Sequence, residues 1–276
     1  MPDTDALADA LAQVDGWSAP ATCAVGVTDA DTDLATHGPV DTVFPLASVT
    51  KPLAATAVLV AVEQGRIDLD DDVDGEGRTV AHLLAHASGL GPEAGTPATA
   101  PERRRVYSNL GFDLLGEHVE VAVRRPFGSW LQTSVLTPLG MHDTHLDGSP
   151  ARDGHGSVAD LLRFARELLR PTLLDEELHA RATSVAFPGL SGVLPGYGRQ
   201  DDNTWGLGFE VRDHKDPHWT GASQDPATFG HFGQSGSFLW VDPTRGCAAA
   251  FLGDEPFGEW AVERWPGLND AIAAAL

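Results

Sequence analysis

An α+β fold, a mostly antiparallel sheet flanked by helices with an all-helical insertion, is the architecture this sequence predicts. Three observations carry that expectation. Short strand-like runs lie near the start ("TCAVGVTD", "DLATHGPV") and again late in the chain ("WGLGFEVRD", "GHFGQSGSFLWVDP", "CAAAFLGDE"). The middle third instead repeats its apolar residues at helical spacing. A last helical stretch, "EWAVERWPGLNDAIAAAL", closes the chain. Strands, helices, strands and a helix, in that order, describe a sheet whose strands come from both ends of the sequence, interrupted by a helical segment.

The elements follow in order. "ALADALAQV" has the spacing of a short first helix, and "DADTD" is the turn between the first two strands. From Ser48 to Gln64 the chain is alanine-rich and almost wholly apolar, the signature of a buried helix, and Gly65 is placed to end it. Pro52 fits the first turn, where amides lack intrahelical partners in any case. "TVAHLLAHASGL", "NLGFDLLGEHVEVAV", "PFGSWLQTSVLTPLGM" and "SVADLLRFARELLR" carry helical periodicity between Gly- and Pro-bearing loops. Of these loops, "GPEAGTPATAPERRR" reads as the most flexible. "VDPTRG" is a turn between the last two strands. The expected organisation is a discontinuous sheet domain (residues 1–78 and 185–276), a helical domain (79–184) and an active site where they meet.

Composition narrows the function classes. A chain of 276 residues can bury a large core. A net charge of −22 argues against nucleic acid or an anionic membrane as partner. The acidic N-terminus has no basic segment leading into an apolar core, so a secretory signal is not expected, nor is a membrane span; a cytoplasmic location is the default. Cys23 and Cys247 have no metal-ligand spacing and read as small buried hydrophobes.

Chemistry concentrates in three short motifs. Only two of the 18 basic residues are lysines, and one, Lys51, sits three residues after Ser48 at the head of the buried helix. Residues i and i+3 share a helix face, so the amine reaches the hydroxyl. A serine needs a base to become a nucleophile, and burial lowers a lysine pKa toward that role. Tyr107-Ser108-Asn109 precedes a helix, with one of only two tyrosines in the chain; a phenol near a cation can shuttle a proton, and an amide can bind a carbonyl or hold a lysine. His231-Phe232-Gly233 reads as a strand whose glycines mark close approach of a ligand to the backbone. Each alone has a plainer reading, as a cap, a packing tyrosine or an edge strand; their order is what gives them weight.

Taken with "HLLAHASGL", "VYSNLGFDLLG", "PLGMHDT", "WGLGFE" and "GHFGQSGSFLWVDP", these motifs resemble the serine β-lactamase and penicillin-binding-protein superfamily. The resemblance is to the branch holding class C β-lactamases, D-alanyl carboxypeptidases, D-aminopeptidases and lactamase-fold esterases, and it runs from about residue 20 to residue 255. It implies that Ser48 forms an acyl-enzyme while Lys51 and Tyr107 together handle the proton, with the immediate base left open. Asn109 would bind substrate and orient Lys51, His231 and Gly233 would line the opposite wall, and the Gln234 and Ser48 amides would form an oxyanion hole. No metal or organic cofactor is implied, and the partner is a small ester or amide. Lactamases commonly carry Lys where His231 stands, which moves the expectation toward ester or small-amide hydrolysis. A true β-lactamase, a D-alanyl carboxypeptidase and a non-catalytic ligand-binding homologue are the alternatives. His155 stands where a small residue is expected and would narrow the cleft. His82 and His86, at i, i+4 spacing, are the best argument for a catalytic metal, weakened by the lack of the glutamate such a motif needs.

Overall fold

The computed structural model describes residues 3–276; Met1 and Pro2, at the head of the acidic N-terminal stretch, lie outside them. A six-stranded, wholly antiparallel sheet forms the frame, in the order β2-β1-β11-β10-β9-β8. Its strands are β1 (Cys23–Asp29) and β2 (Asp33–His37), then β8 (Glu210–Val211), β9 (Phe229–Gly233), β10 (Ser237–Asp242) and β11 (Cys247–Gly253). Between them lie β3 (Phe44–Pro45), the helices α2 (Thr50–Glu63), α3 (Val80–Leu84), α4 (Asn109–Val123) and α5 (Phe127–Leu131), and strands β4 (His145–Leu146) and β5 (Gly154–Gly156). Helices α6 (Val158–Leu169) and α7 (Glu176–Thr183) and the hairpin β6 (Gly192–Leu194) with β7 (Gly198–Gln200) follow. The first helix is α1 (Thr4–Ala12) and the last α8 (Glu259–Ala275).

Side-chain alternation assigns the two sheet faces. Ala248, Ala250 and Leu252 of β11, with Leu239 and Val241 of β10, face the core built on α2 and α6. Their neighbours Cys247, Ala249 and Phe251, with Phe238 and Trp240, face α1 and α8. Both faces are covered, which is why "CAAAFLG" reads as a continuous apolar run rather than an alternating one. Gly26 of β1 lets α6 approach, for a Cβ there would lie 2.7 Å from Leu162 Cδ1. The segment 79–184, expected to be helical, therefore also supplies α6 to the sheet face and β4 and β5 to a small sheet with β3.

Helix α2 runs through the middle of the larger core, and every residue from Thr50 to Ala61 is buried. Gly65 (φ +62°) ends it as expected, its amide donating to the Val62 carbonyl at 2.8 Å. Two readings need correction. The "FGHFGQSGSFLWVDP" stretch is a hairpin of two strands, turned at Gly236 (φ +81°), rather than one glycine-interrupted strand. Most of "WGLGFEVRD" is a turn, since Gly208 (φ +95°) brings the backbone against Ala55 of α2; only Glu210–Val211 form a strand, with Trp205 in isolated bridges to Ala186 and Glu210. The loop 91–105 is anchored at its end, where buried Arg105 donates to the carbonyls of Ala85, Ala186, Phe187 and Asn203. "VDPTRG" does turn between β10 and β11, where Asp242 Oδ1 accepts from the Thr244 and Arg245 amides.

Both cysteines are free, Cys247 buried and Cys23 half-buried. Burial pushes their thiols up to about 12 and about 11, so both stay protonated and unreactive at neutral pH. Among the described residues no helix is long and apolar enough to cross a membrane.

The layer of α1 and α8 lies behind the sheet, and Leu11 of α1 is fully buried in it. Leu11→Ala should lower unfolding stability by about 2–5 kcal/mol, read by urea denaturation, while activity per folded molecule stays unchanged.

Candidate active site

Four chain segments converge at the start of α2. Ala47, at φ +45°, lies in the left-handed region, which costs an L-residue roughly 1–2 kcal/mol and turns the chain sharply into a 3₁₀ turn (Ala47–Val49) ahead of α2. Ser48 therefore stands at the mouth of the helix, where its amide has no intrahelical partner. One turn on, Lys51 is 0% exposed. Its Nζ lies 2.7 Å from Asn109 Oδ1, 2.8 Å from the Ala151 carbonyl and 3.4 Å from Ser48 Oγ. The same nitrogen sits 4.5 Å above the Tyr107 ring.

Tyr107 and Asn109 are set by the residue between them. Ser108 caps α4 by accepting from the Gly111 amide at 3.0 Å, donates to the Gly91 carbonyl at 2.7 Å, and its amide donates to His86 Nδ1 at 3.1 Å. The cap is thus Ser108, and Asn109 is free to point at Lys51. Asn109 Nδ2 donates to Glu93 Oε1 at 2.7 Å, so one of its two amide hydrogens is committed within the protein. Glu93 also pairs with Arg152 at 2.8 Å, tying the 91–105 loop to the loop after β4.

His231 enters from β9, opposite Ser48. Its Nδ1 donates to the Phe232 carbonyl at 2.6 Å, which leaves Nε2 as an acceptor 3.4 Å from the Tyr107 hydroxyl. Gly233 allows this strand to press on the turn at Ser48: a Cβ would fall 2.4 Å from the Leu46 carbonyl and 3.2 Å from the Ser48 amide. Beyond it Gln234 opens the turn of the hairpin, with its carbonyl accepting from Phe257 at 2.9 Å.

Ser48, Tyr107, His231 and Gln234 line one cavity, together with Leu194, Pro195, Trp205, Phe232 and Glu210. Lys51 and Asn109 stand behind Ser48 rather than in the cavity wall. His155 does not narrow this cleft; it lies across from His145 on the small sheet, their rings stacked 5.3 Å apart. Nor do His82 and His86 share a helix face, because α3 ends at Leu84 and His86 takes φ +55°. His86 instead packs under Tyr107 and edge-on to Trp205, each 4.6 Å away. The apolar wall residues escaped the sequence reading, since Leu194 and Trp205 look like any other core residues; only the hairpin β6–β7 and the Gly208 turn bring them here. Glu210 is likewise unmarked in sequence. It is buried and accepts from Lys215 at 2.8 Å, His218 at 2.9 Å and Trp219 at 2.7 Å.

Electrostatics in the site follow from burial. Desolvation, reinforced by Arg152, holds the Lys51 amine well below its ordinary range, with Asp113 and Glu93 opposing. Burial raises the Tyr107 phenol although a hydrogen bond with Ser48 pulls the other way. Burial, with Lys51 second, lowers His231 to about 3. Lys215 differs from Lys51 in having a carboxylate partner. Burial would raise the Glu210 carboxyl, but Lys215 and His218 more than offset this and hold it ionised.

The sequence profile of the Beta-lactamase family matches residues 13–272, nearly the whole chain and all of the segments that build this site. The chain belongs to the beta-lactamase family. Among solved members, a beta-lactamase from Mycobacterium bovis superposes with a TM-score of 0.94 at 49% identity, covering 96% of this chain and 98% of that one. Esterase EstB of Burkholderia gladioli is 27% identical over 85% of this chain and 83% of its own length. Penicillin-binding protein 4* of Bacillus subtilis is 27% identical over 55% of this chain, which spans only 41% of that longer protein.

With a folded pKa of about 3 against 6.5 ordinarily, His231 binds fewer protons folded than unfolded between those values, so it weakens the fold as pH drops through that window. Imidazole NMR should show Nε2 of His231 unprotonated from about pH 8 down to about pH 5; a titration centred near the ordinary histidine value would refute this environment.

Proposed function

We propose that this family member is a serine hydrolase that acts on small esters or amides through an acyl-enzyme on Ser48. The arrangement around Lys51 Nζ carries the reading. A neutral amine has two hydrogens and one lone pair. The Asn109 and Ala151 oxygens, at 2.7 and 2.8 Å, take both hydrogens, and the lone pair is left for the Ser48 hydroxyl at 3.4 Å. An ammonium would have a third hydrogen and no lone pair for that proton. The depressed Lys51 pKa and the raised Tyr107 pKa favour the same assignment, amine neutral and phenol protonated, so Lys51 is the first base and Tyr107 the relay.

In this mechanism Ser48 Oγ attacks the substrate carbonyl carbon as its proton passes to Lys51. The carbonyl oxygen gathers charge at the amides of Ser48 and Gln234, beside the positive end of α2. Tyr107, beside His231 Nε2, hands its one phenolic proton to the leaving group as it takes up the proton held by Lys51, and the bond from carbonyl carbon to that group breaks. Water then enters by the same relay to release the acid. Ser48 and His231 come from the segments 1–78 and 185–276, and Tyr107 and Asn109 from 79–184, in keeping with a site between a sheet unit and a helical one.

The cavity supports a small neutral acyl group. Leu194, Pro195, Trp205 and Phe232 supply apolar walls, as in pockets that take small apolar groups. His231 is neutral, so this wall offers no fixed positive charge to a substrate carboxylate. The esterase relative points the same way. A β-lactamase is the second reading, favoured by the 49% identity to the M. bovis protein.

A fluorophosphonate probe should add one equivalent to Ser48, located by peptide mass spectrometry; folded protein that takes up no probe defeats the nucleophile assignment. Lys51→Ala should lower kcat/KM by about 10²–10⁴. In the parent protein kcat/KM should rise with pH to a plateau as the Lys51 amine loses its proton, and that acid limb should vanish in the variant. Short p-nitrophenyl esters should turn over with higher kcat/KM than nitrocefin. The opposite ranking would favour the β-lactamase.

A further inference from the structure

We propose a second site, for a divalent transition-metal ion of the Zn²⁺ class, on His145, Asp147 and His155. It is separate from the Ser48 centre and independent of the reaction assigned to it. β4 and β5 pair antiparallel with His145 directly opposite His155, so both imidazoles project from one face of the small sheet. The flanking positions of β5 are glycines facing inward, Gly154 against Thr50 and Gly156 against Thr144. His155 alone is left to point outward.

The distances argue for a ligand set rather than a hydrogen-bonded cluster. His145 Nε2 lies 3.4 Å and His155 Nδ1 3.5 Å from the same oxygen, Asp147 Oδ2. His155 Nδ1 is itself buried from solvent and has no hydrogen-bond partner. Ligand atoms on arms of about 2.0–2.1 Å around a tetrahedral ion stand about 3.3–3.4 Å apart, which matches both separations. All three donor atoms fall within 4.8 Å of one another, so one ion can touch them all after small rotamer shifts. Two imidazoles and a carboxylate suit Zn²⁺ over Mg²⁺ or Ca²⁺, which take oxygen ligands. His145 and Asp147 keep 51% and 63% of their side-chain surface exposed, leaving an entry path and a fourth position for water.

Such an ion would close the base of the loop between β4 and β5. That loop carries Ala151, whose carbonyl accepts from Lys51 at 2.8 Å, and Arg152, which pairs with Glu93. Its strand β5 is fastened to the turn before Ser48 by the Leu46 amide on the Gly154 carbonyl at 2.8 Å. A bound metal would therefore stiffen one support of the active site without touching a reacting atom.

The test is calorimetric titration of ZnCl₂ into full-length protein stripped with chelator. One equivalent should bind in the parent, and His155→Ala should weaken it by more than about 100-fold, beyond what loss of a mere supporting contact costs. His214→Ala, an exposed histidine elsewhere, should bind as the parent does. Saturation at about 100 times Kd should raise Tm by about 5 °C in the parent and not in His155→Ala. Asp147→Asn, which keeps size and shape, serves if His155→Ala does not fold, and it too should weaken binding. No Zn²⁺ uptake by the parent, or uptake of equal affinity in these variants, overturns the site whatever the probe shows at Ser48.

Discussion

The candidate site is organised around one amine kept out of water. Lys51 has no carboxylate in contact; its nitrogen is held by an amide oxygen, a backbone carbonyl and a hydroxyl, over an aromatic ring. A buried ammonium with that company is costly, and the neutral amine is the form these partners suit. Each partner comes from a different part of the chain: α2 carries the lysine, α4 opens with Asn109, and the β4–β5 loop delivers Ala151. The tertiary structure therefore serves, first, to bring three carbonyl- or hydroxyl-bearing segments around one nitrogen while excluding solvent.

The chain's other lysine shows what changes when a carboxylate is supplied. Lys215 is nearly as buried as Lys51 but donates to Glu210 at 2.8 Å, with His218 and Trp219 completing the carboxylate's partners. There, charges are retained in pairs and tie β8 to the 215–219 loop behind the cavity. At the turn before α2 no such partner is in contact, and burial lowers the Lys51 and His231 pKa values and raises that of Tyr107. The same desolvation thus yields a structural ion pair in one place and, in the other, a group of side chains whose neutral forms are favoured. The difference is a single glutamate.

The order of elements was legible because burial writes periodicity into sequence: α2 as an unbroken apolar helix, β11 as an apolar run covered on both faces, the turn at Asp242–Gly246 as Asp, Pro and Gly. Short pieces were not legible. β3, β4 and β5 hold two or three residues each, too few to show a period, and exist because Leu46 and Thr50 bond to Gly154. The hairpin at Gly236 was hidden inside an apparently continuous strand, since glycines signal a special backbone without saying which. The anchoring of the 91–105 loop rests on Arg105, whose four carbonyl partners are up to 98 residues away.

By itself the sequence determined the fold class, the motifs Ser48–Lys51, Tyr107–Asn109 and His231–Gly233, and the family they resemble. These depend on local spacing, and local spacing is preserved in a linear string. Only the tertiary structure decided which nitrogen of His231 faces Tyr107, that Asn109 is shared between Lys51 and Glu93, that Glu210 and Trp205 stand in the cavity wall, and that His155 turns away from the cleft toward His145. Each of these is set by contacts between segments far apart in the chain and by how much water they exclude together. No residue carries that information alone, because a pKa and a cavity belong to the surroundings of a side chain and not to its type.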